Sequence, residues 1–118
     1  MAEFNEVGNV KISDEVIAEI SAVEAGEVSG IVGICDSKTG FFGIKSAMKG
    51  VRADIREGIV DIDVDIVVEY GVKMQDIAME LQGKIKRAVE SMTGLIASKI
   101  NINIKGIKFP EVEPIVEE

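Results

Sequence analysis

The sequence predicts an α+β domain in two layers, a small mixed and mainly antiparallel sheet with two long helices on one face. Three observations carry this. Val60, Ile62, Val64, Ile66 and Val68 alternate with Asp61, Asp63 and Asp65, the period of a strand with one face buried. From Met74 the period changes, and Met74, Ala78, Leu81, Ile85, Ala88 and Met92 recur at spacings of four and three, one stripe on a helix. Ile100, Ile102 and Ile104 then alternate with Lys99, Asn101, Asn103 and Lys105. Two strands joined by a long helix are normally parallel with a right-handed crossover, so the C-terminal half reads as a βαβ unit. Every strand has one polar side, whereas strands covered on both faces read as continuous apolar runs. Both helices are therefore expected on one face, with Asp63 and Asn101 in solvent on the other.

In chain order, Val10 and Ile12 alternate with Asn9 and Lys11, which predicts a short first strand. Ser13 suits a helix N-cap, and Asp14 and Glu15 suit the positive end of the helix dipole. Ile12 and Ile17 have the spacing of a hydrophobic staple. Val16, Ile17, Ile20 and Val23 form the expected buried stripe of this helix, which ends near Gly26. Val28 to Ile34 reads as a short strand, and Gly40-Phe41-Phe42-Gly43 as a loop carrying exposed aromatics. Val51 to Val68 reads as a hairpin. With Glu57-Gly58 as a two-residue turn, Ile55 faces Val60, Ala53 faces Ile62 and Val51 faces Val64 on one side. Arg52 then opposes Asp63 on the other, and Asp54 opposes Asp61 with Arg52 and Arg56 as offsetting diagonal neighbours. A slip of one residue would carry the charges into the core. Tyr70-Gly71 breaks this strand, and Gly94 suits the left-handed position after the last turn of the second helix.

The 118 residues leave room for one core. Residues 1–7 are expected as a flexible N-terminus, 8–109 as a single domain and 110–118 as an acidic tail. A composition 47% apolar and 29% charged is that of a globular chain. No apolar run approaches the roughly 20 residues needed to cross a bilayer. The opening Met-Ala-Glu-Phe-Asn-Glu lacks the basic and apolar regions of a signal peptide. Cys35 is the only cysteine, which excludes an internal disulfide and makes a reducing compartment the easier reading. The cytoplasm is the expected location. A net charge of −8 argues against nucleic acid or anionic lipid held by bulk electrostatics. Half of it lies on Glu111, Glu113, Glu117 and Glu118, where Pro110 and Pro114 mark a solvated tail.

Catalytic constellations do not assemble from this inventory. The chain has no histidine, which removes the commonest general base, the usual triads and most zinc sites. No dinucleotide-binding or Walker loop is present. Asp61, Asp63 and Asp65 resemble the opening of a calcium-binding EF-hand loop, but Ile66 stands where glycine is required and Val72 where a bidentate glutamate should follow. On a strand these carboxylates stand in a row about 7 Å apart, so a charged face balanced by Arg52, Arg56, Lys99 and Lys105 is the better reading. Gly30-Ile-Val-Gly33 fits the G-x-x-G of a KH-type RNA-binding loop, yet its centre is apolar and no basic cluster surrounds it, so a packing turn is favoured. Cys35 has Asp36 beside it, which does not favour a thiolate. No catalytic, metal or cofactor residue is therefore expected. Phe41 and Phe42, together with Asn101 and Asn103 on the last strand, are the expected interaction surface, because an open sheet leaves unpaired edge groups that must be covered, blunted or used.

Four segments in order carry a family resemblance: Gly8-Asn-Val-Lys-Ile-Ser-Asp-Glu-Val-Ile-Ala-Glu-Ile20, Val28-Ser-Gly-Ile-Val-Gly33, Asp65-Ile-Val-Val-Glu-Tyr-Gly-Val72 and Met92-Thr-Gly-Leu95. Together they resemble the alkaline shock protein family of Gram-positive bacteria over about residues 8 to 109, with Ser29 departing from an expected proline. The resemblance implies a cytoplasmic, non-enzymatic protein of the envelope and general stress response. It implies a protein partner anchored in the membrane and no cofactor, and it carries over no catalytic residue. Self-association into a homo-oligomer is the companion expectation, and direct membrane insertion is not expected. The competing class is a nucleic-acid-associated regulatory module built on the KH-like turn.

Overall fold

The computed structural model describes residues 7–34 and 50–110. Helix α1 (Asp14–Gly26) starts where Ser13 caps it, its hydroxyl accepting from the Val16 N–H at 3.4 Å. Its buried face is Ile17, Ala18, Ile20, Ser21 and Ala25. The small residues let α1 lie close to its neighbours, and the buried Ser21 hydroxyl is satisfied by donating to the Ile17 carbonyl at 2.9 Å. Val16 and Val23, expected in this stripe, are instead 38% and 59% exposed. The predicted strand at Val10–Ile12 does not form: Val10 is 84% exposed and residues 8–13 run without regular structure. Both edges of the central strand are already occupied, and two apolar residues bury too little area to add a strand. Ile12 is instead half-buried and packs against the core that contains Ile17, as the staple spacing predicts.

Strand β1 (Ile31–Ile34) leads into residues 35–49, which lie outside the described residues together with Cys35, Phe41 and Phe42. Strand β2 (Val51–Arg56) and strand β3 (Ile59–Glu69) form the expected hairpin, with all six pairs from Val51↔Val64 to Arg56↔Ile59 in the predicted register. Glu57 and Gly58 both have positive φ, 51° and 80°, the signature of a turn whose twist matches the strands. β1 and β2 lie end to end along the same side of β3, both antiparallel to it, since Ile34 pairs with Ile66 and the Gly50 carbonyl accepts from the Asp65 N–H.

Helix α2 (Met74–Thr93) comes next, closed by Gly94 in the left-handed conformation at φ 77°, and strand β4 (Ile96–Lys108) returns parallel to the other side of β3. The βαβ unit is thus present, and β4 is longer at both ends than the isoleucine alternation suggests. α1 packs on α2, and both pack on the sheet. Between them lie Val60, Ile62, Val64, Ile66 and Val68 of β3, all at 0% exposure, with Leu81, Ile85 and Val89 of α2. Each such side chain contributes about 1.5–3 kcal/mol by leaving water. Met74 and Met92, the ends of the predicted α2 stripe, are 36% and 70% exposed, and Met92 lies against an open groove shared with Val16, Ile20 and Val23 of α1.

Candidate interaction surfaces

The face of the sheet away from the helices carries the acidic row. Asp63 is half-buried and Asn101 exposed, with no helix over them. Asp65 departs from the expected solvated face, for it is 5% exposed. Arg52 on β2 reaches across it with two hydrogen bonds, Nη1 to Oδ2 at 3.2 Å and Nη2 to Oδ1 at 3.1 Å. From β4, Asn103 Nδ2 donates to Oδ1 at 3.0 Å. Burial would raise the Asp65 carboxyl, but the hydrogen bonds from Arg52 and Asn103 and the charges of Arg52 and Lys105 outweigh it and hold it below the ordinary carboxylate range. The hydrogen bonds that Arg52 donates to Asp65 in turn raise its own pKa against the cost of its burial. Arg56 answers the Asp54–Asp61 opposition, lying 3.1 Å from Asp54 and 3.9 Å from Asp61. One Asp61 oxygen is buried without a hydrogen bond. Among the described residues no three His, Cys, Asp or Glu side chains converge on a point.

Asn103 is thus part of a structural clasp, which leaves Asn101 as the outward amide of the expected pair. The other two members of that expected surface, Phe41 and Phe42, lie outside the described residues. The exposed aromatics the structure does describe are Tyr70 and Phe109, each 63% exposed, their rings 5.3 Å apart at the end of β3 and β4. The KH-like G-x-x-G is not a loop: Ile31 and Gly33 pair with Val68 and Val67 in the sheet. Gly30 sits at the preceding turn with φ 98°, where a Cβ would lie 2.8 Å from Ile77 Cδ1 and 3.0 Å from Val72 Cγ1. It is a packing glycine.

Two further surfaces are formed. One is the outer side of β4, the open edge anticipated for the last strand. No strand pairs there among the described residues, and α2 covers only its first part. Glu90 Oε2 accepts from the Ala97 N–H at 3.0 Å, Lys86 Nζ donates to the Ala97 carbonyl at 3.2 Å, and Gln82 Nε2 donates to the Ile100 carbonyl at 2.8 Å. Lys86 also pairs with Glu90 at 2.9 Å, and the hydrogen bonds from Lys86 and Ala97 hold the Glu90 carboxyl below its ordinary range. The i, i+4, i+8 spacing of Gln82, Lys86 and Glu90 was the available signal. The second surface is a shallow groove of about 300 Å³ between the helices, lined by Val16, Glu19, Ile20, Val23, Glu24 and Met92.

Comparison with known proteins fits this architecture. Residues 2–109 match the alkaline shock protein 23 family, described by its cell envelope-related function. The chain belongs to this family. It is 36% identical over 111 residues to an uncharacterized Bacillus subtilis protein, YqhY, covering 91% of this chain and 82% of that one. It is 26% identical over 109 residues to a stress response regulator, a gls24 homolog of Streptococcus pyogenes, covering 88% of this chain and 61% of the relative. Among solved structures, MamM-CTD superposes with a TM-score of 0.51 at 16% identity, over 80% of this chain and 99% of that one, a likeness of fold alone. The family relation supports a cell envelope-related role in stress response. No helix among the described residues is long and apolar enough to cross a membrane.

Proposed function

We propose that this family member is a non-enzymatic interaction module of the cell-envelope stress response. It works in the cytoplasm and gathers at the membrane through a protein partner that is itself anchored there. The observation that supports the reading is the one-sided construction of the sheet. All strongly buried apolar strand residues except Val67 belong to the core cluster with the helices, while the opposite face is a mixed field of carboxylates, amides and the cations Arg52, Arg56, Lys99 and Lys105, bordered by a long strand edge. A face of this kind recognises protein through charge and backbone hydrogen bonds. The net charge of −8 makes the membrane surface and nucleic acid poor direct partners, and the strand conformation of Ile31–Gly33 takes away the loop that a KH-type reading needs.

The test is in-cell crosslinking on the tagged full chain, followed by membrane fractionation. The chain is expected in the membrane fraction, crosslinked to one integral membrane protein, and released from that fraction when that protein is deleted. Recovery of the chain with nucleic acid in a salt-sensitive complex, with no membrane protein crosslinked, would overturn the proposal.

A further inference from the structure

The covering of β4 stops abruptly, and the bare stretch beyond it is self-complementary. Gln82, Lys86 and Glu90 answer the outward backbone groups as far as Ile100. The next position of that helical series is Ala78, with Met79 beside it at 66% exposure, and neither side chain can hydrogen-bond a backbone. Ala97 turns both its N–H and its C=O away from β3, as the two α2 bonds show. In a parallel ladder this orientation alternates along the strand. Ser98 is the extra residue at the register shift between Ala97 and Lys99, so the alternation carries Ile100, Ile102 and Ile104 to the outward side. The Ile100 carbonyl, bonded to Gln82, has the same phase. Ile102 and Ile104 therefore present a bare stretch of edge, their side chains half-buried on the helix side.

That stretch lies in Lys99-Ile-Asn-Ile-Asn-Ile-Lys105, a segment that reads identically in both directions. We propose that the occupant of this edge is a second copy of the same chain, with β4 pairing antiparallel to β4 about a two-fold axis through Ile102. The inference rests on the reading of the chain as an interaction module and names one of its partners. In this register Ile102 meets Ile102 of the second copy, and Ile100 meets Ile104, whose N–H takes the place of Gln82 Nε2 on the Ile100 carbonyl. Apolar side chains continue the core stripe beside Met79, and Asn101 meets Asn103 on the open face. The pairing is isologous and closes at two copies, so it gives a dimer and not a fibre. The covered edge at Ala97 limits its length at each end. Lys99 faces Lys105 of the second copy and, by symmetry, Lys105 faces Lys99, the two like-charged pairs. Asp61 stands beside Lys99 in the ladder, and Lys105 acts on Asp65, which tempers the repulsion.

The like-charged pairs make the register testable. Sedimentation equilibrium of the full chain is expected to show a monomer–dimer equilibrium. Lys105→Glu makes both outer pairs opposite in charge and should tighten it about tenfold at low salt, and adding Lys99→Glu should undo the gain. In a Cys35→Ser background, Asn101→Cys mixed with Asn103→Cys should form a disulfide between copies on mild oxidation, since that pair is directly opposed at close range. Neither variant alone should crosslink to the same extent. Thermal melts of each variant establish that it folds. A monomer at all concentrations with no 101–103 crosslink overturns the inference. So does a dimer whose strength ignores Lys105→Glu and whose crosslinks fall elsewhere. A monomer that still crosslinks to an integral membrane protein in cells overturns the dimer and leaves the functional reading standing.

Discussion

Asp65 shows how a single carboxylate is kept charged inside a sheet. Its side chain is 7% exposed and that of Arg52 is 54% exposed, so the pair is screened on one side and dry on the other. Arg52→Ala leaves Asp65 with Asn103 as its one side-chain hydrogen-bond donor and should cost about 1–3 kcal/mol, towards the low end because the arginine is half in water. The folded-state pKa of Asp65 is lowered, so its contribution is complete above the unfolded-state value of about 4 and is lost as pH falls through the folded value. Urea titrations should show a gap between wild type and Asp65→Asn that is constant above about pH 5 and closes in acid. Gly30 makes a second residue-scale prediction. Its φ is 98°, and two side chains lie within 3.0 Å of where a Cβ would stand, so Gly30→Ala should destabilise by more than about 1 kcal/mol. Gly94→Ala meets only the unfavourable φ, since nothing lies within 4 Å of its Cβ position, and should cost less in the same melt.

At the scale of elements, the hairpin and the β4 edge respond differently to substitution. Glu57 holds a left-handed conformation at φ 51°, which costs a side chain of this kind about 1 kcal/mol. Glu57→Asn should recover part of that and raise the melting temperature, because asparagine is suited to the first position of such a turn. On β4, the Ala97 amide depends on Glu90. Glu90→Ala removes that acceptor and should accelerate hydrogen exchange at Ala97 several-fold while leaving the β3 amides unchanged. The hairpin was fully legible in the sequence because alternation and turn chemistry act locally and agree. The α2 clasp on β4 was not, because three polar residues on a helix face look like solvated surface until the strand beneath them is in place. The first strand failed for a related reason: Val10 and Ile12 alternate correctly, yet no edge of β3 remained for them.

For the whole molecule, the division between core and surface on the helices decides stability. Leu81→Ala empties a fully buried site and should cost about 2–5 kcal/mol. Met92→Ala, 70% exposed though it stands in the same sequence stripe, should change stability by less than about 0.5 kcal/mol. Urea unfolding with an unchanged slope is the measurement, and equal losses at the two positions would contradict the observed placement of α2.

Local pattern by itself determined the fold class, the two helices, the hairpin register and the parallel βαβ unit, each of which depends on periods, caps and turns that the chain carries in short windows. The family resemblance rested instead on four segments of particular residues in order. Tertiary structure alone decided which apolar residues are core, since Val16, Val23 and Met92 lie on the predicted stripes yet line an open groove between the helices. It also decided that Asp65 is buried beneath Arg52 and Asn103, and that Asn103 is therefore engaged while Asn101 faces outward. Above all, it decided that β4 lies at an edge covered only as far as Ile100. Strand order depends on which side chains meet across the sheet, and no periodicity within a single strand encodes its neighbours.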